Sequence, residues 1–282
     1  MAGIQIVTDS TADLPQDVAQ EHDIRIVPLS VSFGDEHYVD GVDLTPAEFY
    51  GKLRSNPVLP RTSQPPPGRF AEVYREALDA GRQVLSIHIS SKLSGTYQAA
   101  CLAAEMVDPE NIVVVDSLTV SMGVGLMALA AAQHNGTLDE ARAAVMAVKA
   151  NMGLFFLVDT FEYMEKNGRI GRAASLVGSL LQIKPVLTFV DGTVEVQEKL
   201  RGNKRARRRM LELFKEIVGD NKVHVAMLHA DAEEAAQELL EEIKELVDCV
   251  ETYLGYVGPI IGSHSGPGTL GLTWRLALPG EQ

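Results

Sequence analysis

The sequence predicts an α/β protein of two domains: an N-terminal three-layer α/β/α domain with a parallel sheet, and a C-terminal two-layer α/β domain with a mixed sheet. Short runs rich in β-branched residues alternate with amphipathic segments in the first half, as in a parallel sheet covered on both faces. The second half contains a hairpin signal, which indicates antiparallel pairing. The length of 282 residues suits two domains, with one large domain as the alternative, and we place the boundary between residues 152 and 153.

In the first half, residues 1–152, the runs VLSIHI and IVVV are typical of strands buried on both faces. Helices are expected between the strands, because Thr45–Glu48 and Thr137–Glu140 are both capping boxes. This alternating order implies a parallel sheet with helices on both faces. The strands are predicted at Ile4–Thr8, Ile24–Phe33, Gln83–Ile89 and Ile112–Asp116.

In the second half, residues 153–282, Asp191-Gly192 is a hairpin signal between the runs Val186–Val190 and Thr193–Gln197. Two amphipathic helices follow, one around Met210 and one around Leu239. Strands joined by a hairpin and flanked by two helices predict a mixed sheet covered by helices. Further strands are predicted at Gly153–Val158, Val223–Leu228, Thr252–Val257 and Thr269–Trp274.

The composition excludes several classes of protein. Lys and Arg number 25 against 38 Asp and Glu, a formal net charge of −13, so we expect no nucleic-acid binding by the chain as a whole. Cys101 and Cys249 have no metal-ligand spacing around them and imply no disulfide framework. The stretch Ser117–Leu138 lacks Asp, Glu, Lys and Arg, but its strictly apolar part, Gly123–Ala132, is shorter than the roughly 20 residues of a membrane span. We therefore expect a buried helix there. The N-terminus has no basic n-region and no long apolar h-region, so we expect no signal peptide, and the two cysteines fit a reducing cytoplasm.

A serine-rich segment, Ser90–Gln98, follows a predicted strand and precedes a helix that should begin near Gly95. Ligands of open α/β sheets bind beyond the carboxyl ends of the strands, and the N–H groups of a helix start suit an anion. Ser94 can add its hydroxyl to such a site, and the alternative is that Ser94 only caps the helix. Asp9-Ser10 and Asp116-Ser117 also follow apolar strands, so we expect them near the same sheet edge.

Thr62 precedes a run of prolines, Pro65–Pro67, which makes the segment stiff and extended. Such a segment would hold Thr62 and Ser63 in fixed positions for a ligand. The alternative is a rigid connector to the helix that is expected to begin near Gly68.

His264 lies in a glycine-rich stretch, Gly262–Gly268, that is typical of a loop approached closely by a ligand. An imidazole there can donate a hydrogen bond to a carboxylate near neutral pH. The alternative is an ordinary surface turn.

Basic residues crowd the segment Lys199–Arg209, where seven of eleven positions are Lys or Arg. Such a run is either a solvated face or a local patch that docks an acidic partner or a phosphate.

Several long segments, in the same order along the chain, resemble the DegV family over nearly the whole length. Because they are many and ordered, they identify the family far more specifically than one motif does. The matching segments are TDSTADLP (8–15), TSQP (62–65), SSKLSGTYQAA (90–100), GRIGRAASLVGSLLQIKPVL (168–187), KLRGNKRA (199–206) and GPIIGSHSGPGTLGL (258–272), together with Asp116-Ser117 and SMGVG (121–125).

The resemblance implies a carrier without catalytic activity of its own, which encloses one long-chain fatty acid, such as palmitate or oleate, between its two domains. It implies no cofactor and no metal. In bacterial members of the family, the carrier presents the carboxyl group to the ATP-binding subunit of a fatty-acid kinase, and the acyl phosphate product feeds phospholipid synthesis. A transient contact with a membrane surface is also implied, and nucleic acid is not.

The resemblance also implies roles for single residues. The family's contacts to the carboxylate fall on Thr62, Ser94 and Gly95, with His264 completing the cluster. Arg169 and Arg201 match basic positions used near the carboxyl end or at the kinase surface.

The chain departs from the family pattern at two places. It has Gly171-Arg172 where Ser-Lys is common, which changes a residue near the domain junction. It has Ser263-His264-Ser265 where Thr-His-Thr is common, and this change keeps the hydroxyl groups.

Two hydroxyls, an imidazole and helix-terminal N–H groups suit one carboxylate, and no Walker A sequence for ATP accompanies them. Most of the affinity would come from the acyl tail. At about 0.8 kcal/mol per methylene, roughly fourteen buried methylenes contribute on the order of 11 kcal/mol before the costs of binding. We therefore expect an apolar tunnel in which the polar contacts set the orientation.

Two other functions fit parts of the sequence. A serine hydrolase would use Ser94 as nucleophile and His264 as base, but Leu93-Ser94-Gly95 lacks the glycine that begins a G-x-S-x-G motif. A transcription regulator would use the cluster Arg207–Arg209. Hydrolysis of an activated ester distinguishes the first alternative, and a salt-dependent DNA shift assay distinguishes the second.

Overall fold

The computed structural model describes residues 3–176, 183–278 and 281, so part of the family-like segment at 168–187 lies outside the described residues. The described strands are β1 (Ile4–Asp9), β2 (Ile24–Val27), β3 (Ser30–Phe33), β4 (Glu36–Val39), β5 (Arg61–Ser63), β6 (Gln83–His88), β7 (Ile112–Asp116), β8 (Met152–Leu157), β9 (Val186–Val190), β10 (Thr193–Glu198), β11 (Val223–His229), β12 (Cys249–Tyr256) and β13 (Leu270–Leu276). The described α-helices are α1 (Gln16–Glu21), α2 (Pro46–Ser55), α3 (Pro67–Asp79), α4 (Thr96–Val107), α5 (Met122–Gln133), α6 (Leu138–Ala150), α7 (Glu162–Lys166), α8 (Asn203–Val218), α9 (Glu233–Leu246) and α10 (Pro259–Ser265).

The first large sheet has the order β2-β1-β6-β7, and its neighbouring strands are all parallel. Successive side chains of a strand point to opposite faces, and here both faces are buried. Ile6 and Leu85 pack with α5 and α6 on one face, whereas Val7 and Val84 pack with α3 and α4 on the other. The predicted three-layer arrangement with a parallel sheet is therefore confirmed.

Local signals place several helices of this half correctly. Thr45 and Thr137 each accept a hydrogen bond from the backbone of the glutamate three residues later, and that glutamate bonds back to the threonine N–H. Helix α5 is buried from Met122 to Ala131, as expected for the uncharged stretch. Among the described residues, no helix is both long and apolar enough to cross a membrane.

One strand prediction is wrong. The run Ile24–Phe33 forms two strands, β2 and β3, because Pro28 has no N–H to donate to a sheet ladder. Strand β3 turns away from the parallel sheet and pairs with β4 and β5 in a separate antiparallel sheet. This small sheet carries Thr62 on β5, opposite Val31.

The second large sheet has the order β10-β9-β8-β13-β11-β12. Strands β11 and β12 are parallel and the other neighbours are antiparallel, so the predicted mixed sheet is confirmed. The hairpin between β9 and β10 turns at Asp191 and Gly192, whose φ values of 50° and 79° are the positive values that such a turn needs.

Helices α8 and α9 cover one face of this sheet. Met210 and Phe214 of α8, and Ile243 of α9, pack against Leu272 and Trp274 of β13 in one buried cluster. The opposite face of β13 turns toward the first half of the chain and lines a cavity. The second half is thus two layers, helices on a mixed sheet, as predicted.

Hydrogen bonds that are buried or partly buried join the two halves. The Tyr50 hydroxyl donates to the Val257 carbonyl over 2.8 Å, and the Gly258 N–H donates to Asp13 Oδ1 over 3.0 Å. The boundary between residues 152 and 153 lies between α6 and the sheet of the second half, and the division into domains 1–152 and 153–282 stays a prediction.

Candidate functional site

A cavity of about 310 Å³ is lined by residues from both halves of the chain. Most of its wall is apolar, and the polar side chains come from a few short segments. Such a composition is typical of a pocket for a ligand with a long apolar part and a small polar end. The polar lining residues are Thr62, Ser63, Gln64, Ser94, Ser121, Arg169, His264, Ser265, Thr269 and Thr273.

Thr62 and His264 meet in this cavity although they lie 202 residues apart in the chain. Thr62 Oγ1 and His264 Nε2 share a hydrogen bond of 2.9 Å. Thr62 is held on β5, and the proline run after it leads directly into α3, so the segment is both a stiff connector and part of the cavity wall.

His264 is not in a loop, as its glycine-rich surroundings suggested. It lies on α10, which has Pro259 at its first turn and ends at Gly266, where φ is 77°. The helical spacing places Ile260, Ile261 and His264 on the cavity side. Proline at a helix start and glycine just after its end are the signals that indicate this short helix.

The imidazole of His264 is neutral at pH 7. Burial chiefly, and the charge of Arg169 to a smaller extent, lower its pKa to about 4. Its Nδ1 is buried and has no hydrogen-bond partner among the described residues. A neutral ring carries one N–H, so either Nε2 donates to Thr62 Oγ1 or the Thr62 hydroxyl donates to Nε2.

Ser94 lies at the carboxyl edge of the parallel sheet, just before α4. Its Oγ accepts a hydrogen bond from the Thr96 N–H over 3.3 Å and lies 2.8 Å from Thr96 Oγ1. The serine thus helps to cap the helix and lines the cavity at the same time.

Gly95 allows a close approach that a side chain would prevent. A Cβ at this position would overlap the side-chain amide of Gln64. This contact links Ser94 and Gly95 to the Thr62 segment, so the polar groups form one cluster. Gln64 lines the cavity and no signal in the sequence indicated it beyond its place in the TSQP segment.

Arg169 lies at the exposed side of this cluster. Its guanidinium donates to the Leu93 carbonyl over 3.2 Å and to the Asn167 carbonyl over 2.8 Å. Asn167 in turn donates to the Ser263 carbonyl over 2.8 Å. These bonds tie the segment after α7 to both the Ser94 loop and α10, and they place a positive charge beside the neutral His264.

Arg201 lies elsewhere. It lines a surface groove with residues at the start of α8 and with Glu238 and Glu242 of α9. Within the described part of the chain, Arg201, Lys204, Arg205 and Arg207 have no carboxylate within ion-pair distance. Arg208 pairs with Glu212, and Arg209 contacts three glutamates. The unpaired positive charge therefore concentrates at the start of α8, and the last two arginines of the cluster Arg207–Arg209 are paired within the helix and with β10.

Neither aspartate pair lines the cavity. Asp116 Oδ1 accepts from the N–H groups of Ser91 and Leu118, which fixes the loop before α4. Asp9 is completely buried and accepts from the Ile89 N–H. Both pairs stabilise the sheet edge that carries the site.

Asp9 also belongs to a buried chain of hydrogen bonds. Tyr74 donates to Ser86, Ser86 Oγ lies 2.7 Å from His88 Nε2, and His88 Nδ1 lies 2.8 Å from Asp9 Oδ2. The order of groups is that of a hydrolase triad, but all four side chains are 0% exposed. No substrate reaches them, and the chain of bonds satisfies polar groups inside the core.

The geometry at Ser94 differs from that of a serine hydrolase. A nucleophile and its base share a hydrogen bond in such enzymes. Here Ser94 Oγ bonds to Thr96, and His264 Nε2 bonds to Thr62. Among the described residues, no cluster of His, Cys, Asp and Glu has the arrangement of a metal site.

The distal wall of the cavity consists of side chains that the sequence did not single out. Phe156 of β8 and Phe189 of β9 stack with their centroids 5.6 Å apart and their planes at 23°. Leu154, Met164 and Val194 belong to the same cluster. Alternation along the strands indicates that they are buried, but only the packed structure shows which face meets the cavity.

Comparison with known proteins identifies the family of the chain. Residues 3–276 match the model of the DegV family, whose description is that of an uncharacterised protein. A DegV domain-containing protein of Listeria innocua is 36% identical over 278 residues, which cover 97% of this chain and 98% of that protein. Protein DegV of Bacillus subtilis is 35% identical over 276 residues, 96% of this chain and 98% of that one.

Solved structures of DegV family proteins are similar over nearly the whole chain. A DegV family protein of Thermus thermophilus, described as fatty-acid binding, is 39% identical with a TM-score of 0.92 and covers 98% of this chain and 100% of its own. A stearic-acid-binding protein of Eubacterium ventriosum is 29% identical with a TM-score of 0.88, and 98% of each chain is covered. The match of the family model over residues 3–276 shows that this chain belongs to the DegV family.

Proposed function

We propose that this protein binds one long-chain fatty acid, with its carboxylate at the cluster of Thr62, Ser94, Gly95 and His264 and its tail in the apolar cavity. The observation that carries the proposal is the convergence of these groups in one cavity whose remaining wall is mostly apolar. Related DegV proteins are described as fatty-acid binding, and one as binding stearic acid, which supports the same ligand class here.

The head-group chemistry suits a carboxylate. If His264 donates its one N–H to Thr62 Oγ1, the hydroxyls of Thr62 and Ser94 can both donate to a carboxylate, and Arg169 supplies a positive charge nearby. Hydrogen bonds to a charged group are worth about 1.5–3 kcal/mol each. Burial of the tail contributes more than any one of these contacts, so the head group sets orientation and the tail sets affinity.

A fatty acid and its methyl ester together test this assignment, because they share the tail and differ in the carboxylate. Palmitate should bind to the delipidated protein in a calorimetric titration, and methyl palmitate, which keeps the tail and loses the charge, should bind at least tenfold more weakly. Equal affinity for the two compounds would contradict the proposed carboxylate site. Failure of both palmitate and oleate to bind would contradict the function itself.

We further propose that the protein presents the bound carboxylate to the ATP-binding subunit of a fatty-acid kinase and has no catalytic activity of its own. Arg169, at the exposed side of the site, and Arg201, in the basic groove, are the residues that we assign to this encounter. The unpaired positive charge at the start of α8 supports docking to an acidic surface, and steering by such charge is salt-sensitive.

The serine hydrolase remains the alternative, and one assay separates it from the carrier. The wild-type protein should not hydrolyse p-nitrophenyl palmitate above the buffer rate, because Ser94 and His264 share no hydrogen bond. Robust turnover that is lost in Ser94→Ala would establish the enzyme and refute the carrier.

A further inference from the structure

Gly271 is the second residue of β13 and lies on the face that lines the cavity. The strand's other face carries Leu270, Leu272 and Trp274, which pack under α8 and α9. Gly271 and Thr273 therefore point toward the cavity, as strand alternation requires, and both line it. A glycine inside a central strand is unfavourable by itself, because it loses backbone entropy and packs no side chain.

Neither the backbone conformation nor the packing requires a glycine at position 271. Gly271 is not among the residues with positive φ, so any residue can adopt its conformation. In the neighbouring strand, by contrast, packing does require a glycine at position 153, because a Cβ there would overlap the Trp274 ring. At Gly271, the one described atom within 4 Å of a Cβ is Leu228 Cβ, at 4.0 Å.

An aromatic neighbour does not cover the position either. Phe156 lies directly opposite Gly271 on β8, and a cross-strand aromatic ring often packs over a glycine. Here the Phe156 ring stacks on Phe189 of β9, and none of its atoms comes within 4 Å of the Cβ position. The space above Gly271 therefore belongs to the cavity.

We infer that Gly271 determines the length of acyl chain that the protein accepts, because its bare backbone leaves room for the tail to pass over β13. This inference rests on the proposed fatty-acid binding. A side chain at position 271 would project into the cavity between Phe156 and Leu228 and shorten the space available to the tail.

The size of the effect follows from the methylenes that a side chain displaces. Each methylene withdrawn from burial weakens binding about fourfold. The three side-chain carbons of valine occupy the space of roughly three methylenes, so Gly271→Val should weaken palmitate binding by about 60-fold. Gly271→Ala should weaken it by about fourfold. Decanoate, whose tail is shorter, should lose much less in either variant.

Gly255 provides a matched control. Leu228 pairs with Gly271 on one side and with Gly255 of β12 on the other. A Cβ at Gly255 would make an ordinary contact of 3.4 Å with Leu228, and Gly255 does not line the cavity. Gly255→Ala therefore makes the same change next to the same leucine, and the affinity for every chain length should stay unchanged.

The experiment measures dissociation constants of the delipidated full chain for saturated fatty acids from decanoate to stearate. Wild type, Gly271→Ala, Gly271→Val and Gly255→Ala are compared, and circular dichroism checks that each variant unfolds at a temperature no lower than the wild type. A selective loss of long chains in the Gly271 variants supports the inference. Equal binding of palmitate by folded Gly271→Val and wild type would overturn it, as would a uniform loss at all lengths. If the wild type itself binds none of the acids, the proposed function is refuted instead.

Discussion

Two buried groups should change the stability of the protein with pH in opposite directions. His264 has its pKa lowered to about 4 by burial, with a further contribution from the charge of Arg169. Asp40 has its pKa raised to about 6, chiefly by burial, and the charge of Asp9 adds to the shift. Between pH 7 and pH 5 both groups affect the free energy of unfolding.

The sign and size of each group's contribution to the free energy of unfolding follow from the linkage between proton binding and folding. The folded state favours the neutral form of His264, so its contribution to the free energy of unfolding is present above about pH 6.5 and is lost as the pH falls toward 4. Between pH 7 and pH 5 this loss is about 2 kcal/mol. The folded state favours the protonated form of Asp40, so its contribution to the free energy of unfolding is present below about pH 4 and is lost as the pH rises through 6. Lowering the pH from 7 to 5 therefore restores about 1 kcal/mol. The two effects partly cancel in the wild type.

When one of the two groups is substituted, the contribution of the other to the pH dependence of stability should no longer be partly cancelled. Urea unfolding of the delipidated protein at pH 7 and pH 5 should show that Asp40→Asn loses about 1 kcal/mol more than the wild type over this interval. His264→Gln should lose about 2 kcal/mol less than the wild type. If both variants show the wild-type difference between the two pH values, the assignment of these protonation states is refuted.

Three further substitutions test the site and its support. Ser94→Ala should weaken palmitate binding by about 10- to 100-fold in calorimetry, while Ser91→Ala, on the exposed side of the same loop, leaves it unchanged; equal affinities in the two variants would count against the head-group assignment. Arg201→Ala should slow kinase-dependent acyl phosphate formation at low salt without changing palmitate affinity, and an unchanged rate would remove Arg201 from the docking surface. Gly153→Ala should lower the free energy of unfolding by about 1–3 kcal/mol in urea titrations, because its Cβ overlaps Trp274, and an unchanged value would contradict that packing.

Local patterns predicted much of the fold. Runs of β-branched residues such as Ile112–Asp116 form the parallel sheet, and the capping boxes at Thr45 and Thr137 begin helices where they were expected. The small sheet of β3, β4 and β5 was missed, because its pairing of Val31 with Thr62 joins segments far apart in the chain and its local hairpin joins strands of only four residues each. Short strands of this kind depend on tertiary contacts more than on local pattern.

The site was predicted less completely than the fold. Thr62, Ser94 and His264 were identified mainly by resemblance, since each alone has an ordinary structural interpretation. The sequence predicted a loop at His264, where the structure has helix α10, because the glycines around it favour a loop more strongly than the single proline favours a helix start. Phe156 and the other wall residues carry no signal beyond strand alternation, which does not reveal that one face of the sheet borders a cavity.

The central claim is that the cavity between the two halves holds a fatty acid. Native mass spectrometry of the purified protein, followed by organic extraction and identification of the extracted lipid, tests it most directly. We predict one long-chain fatty acid per chain, lost on delipidation and regained when palmitate or oleate is added. A protein that carries no lipid as purified and gains none from either acid would contradict the account.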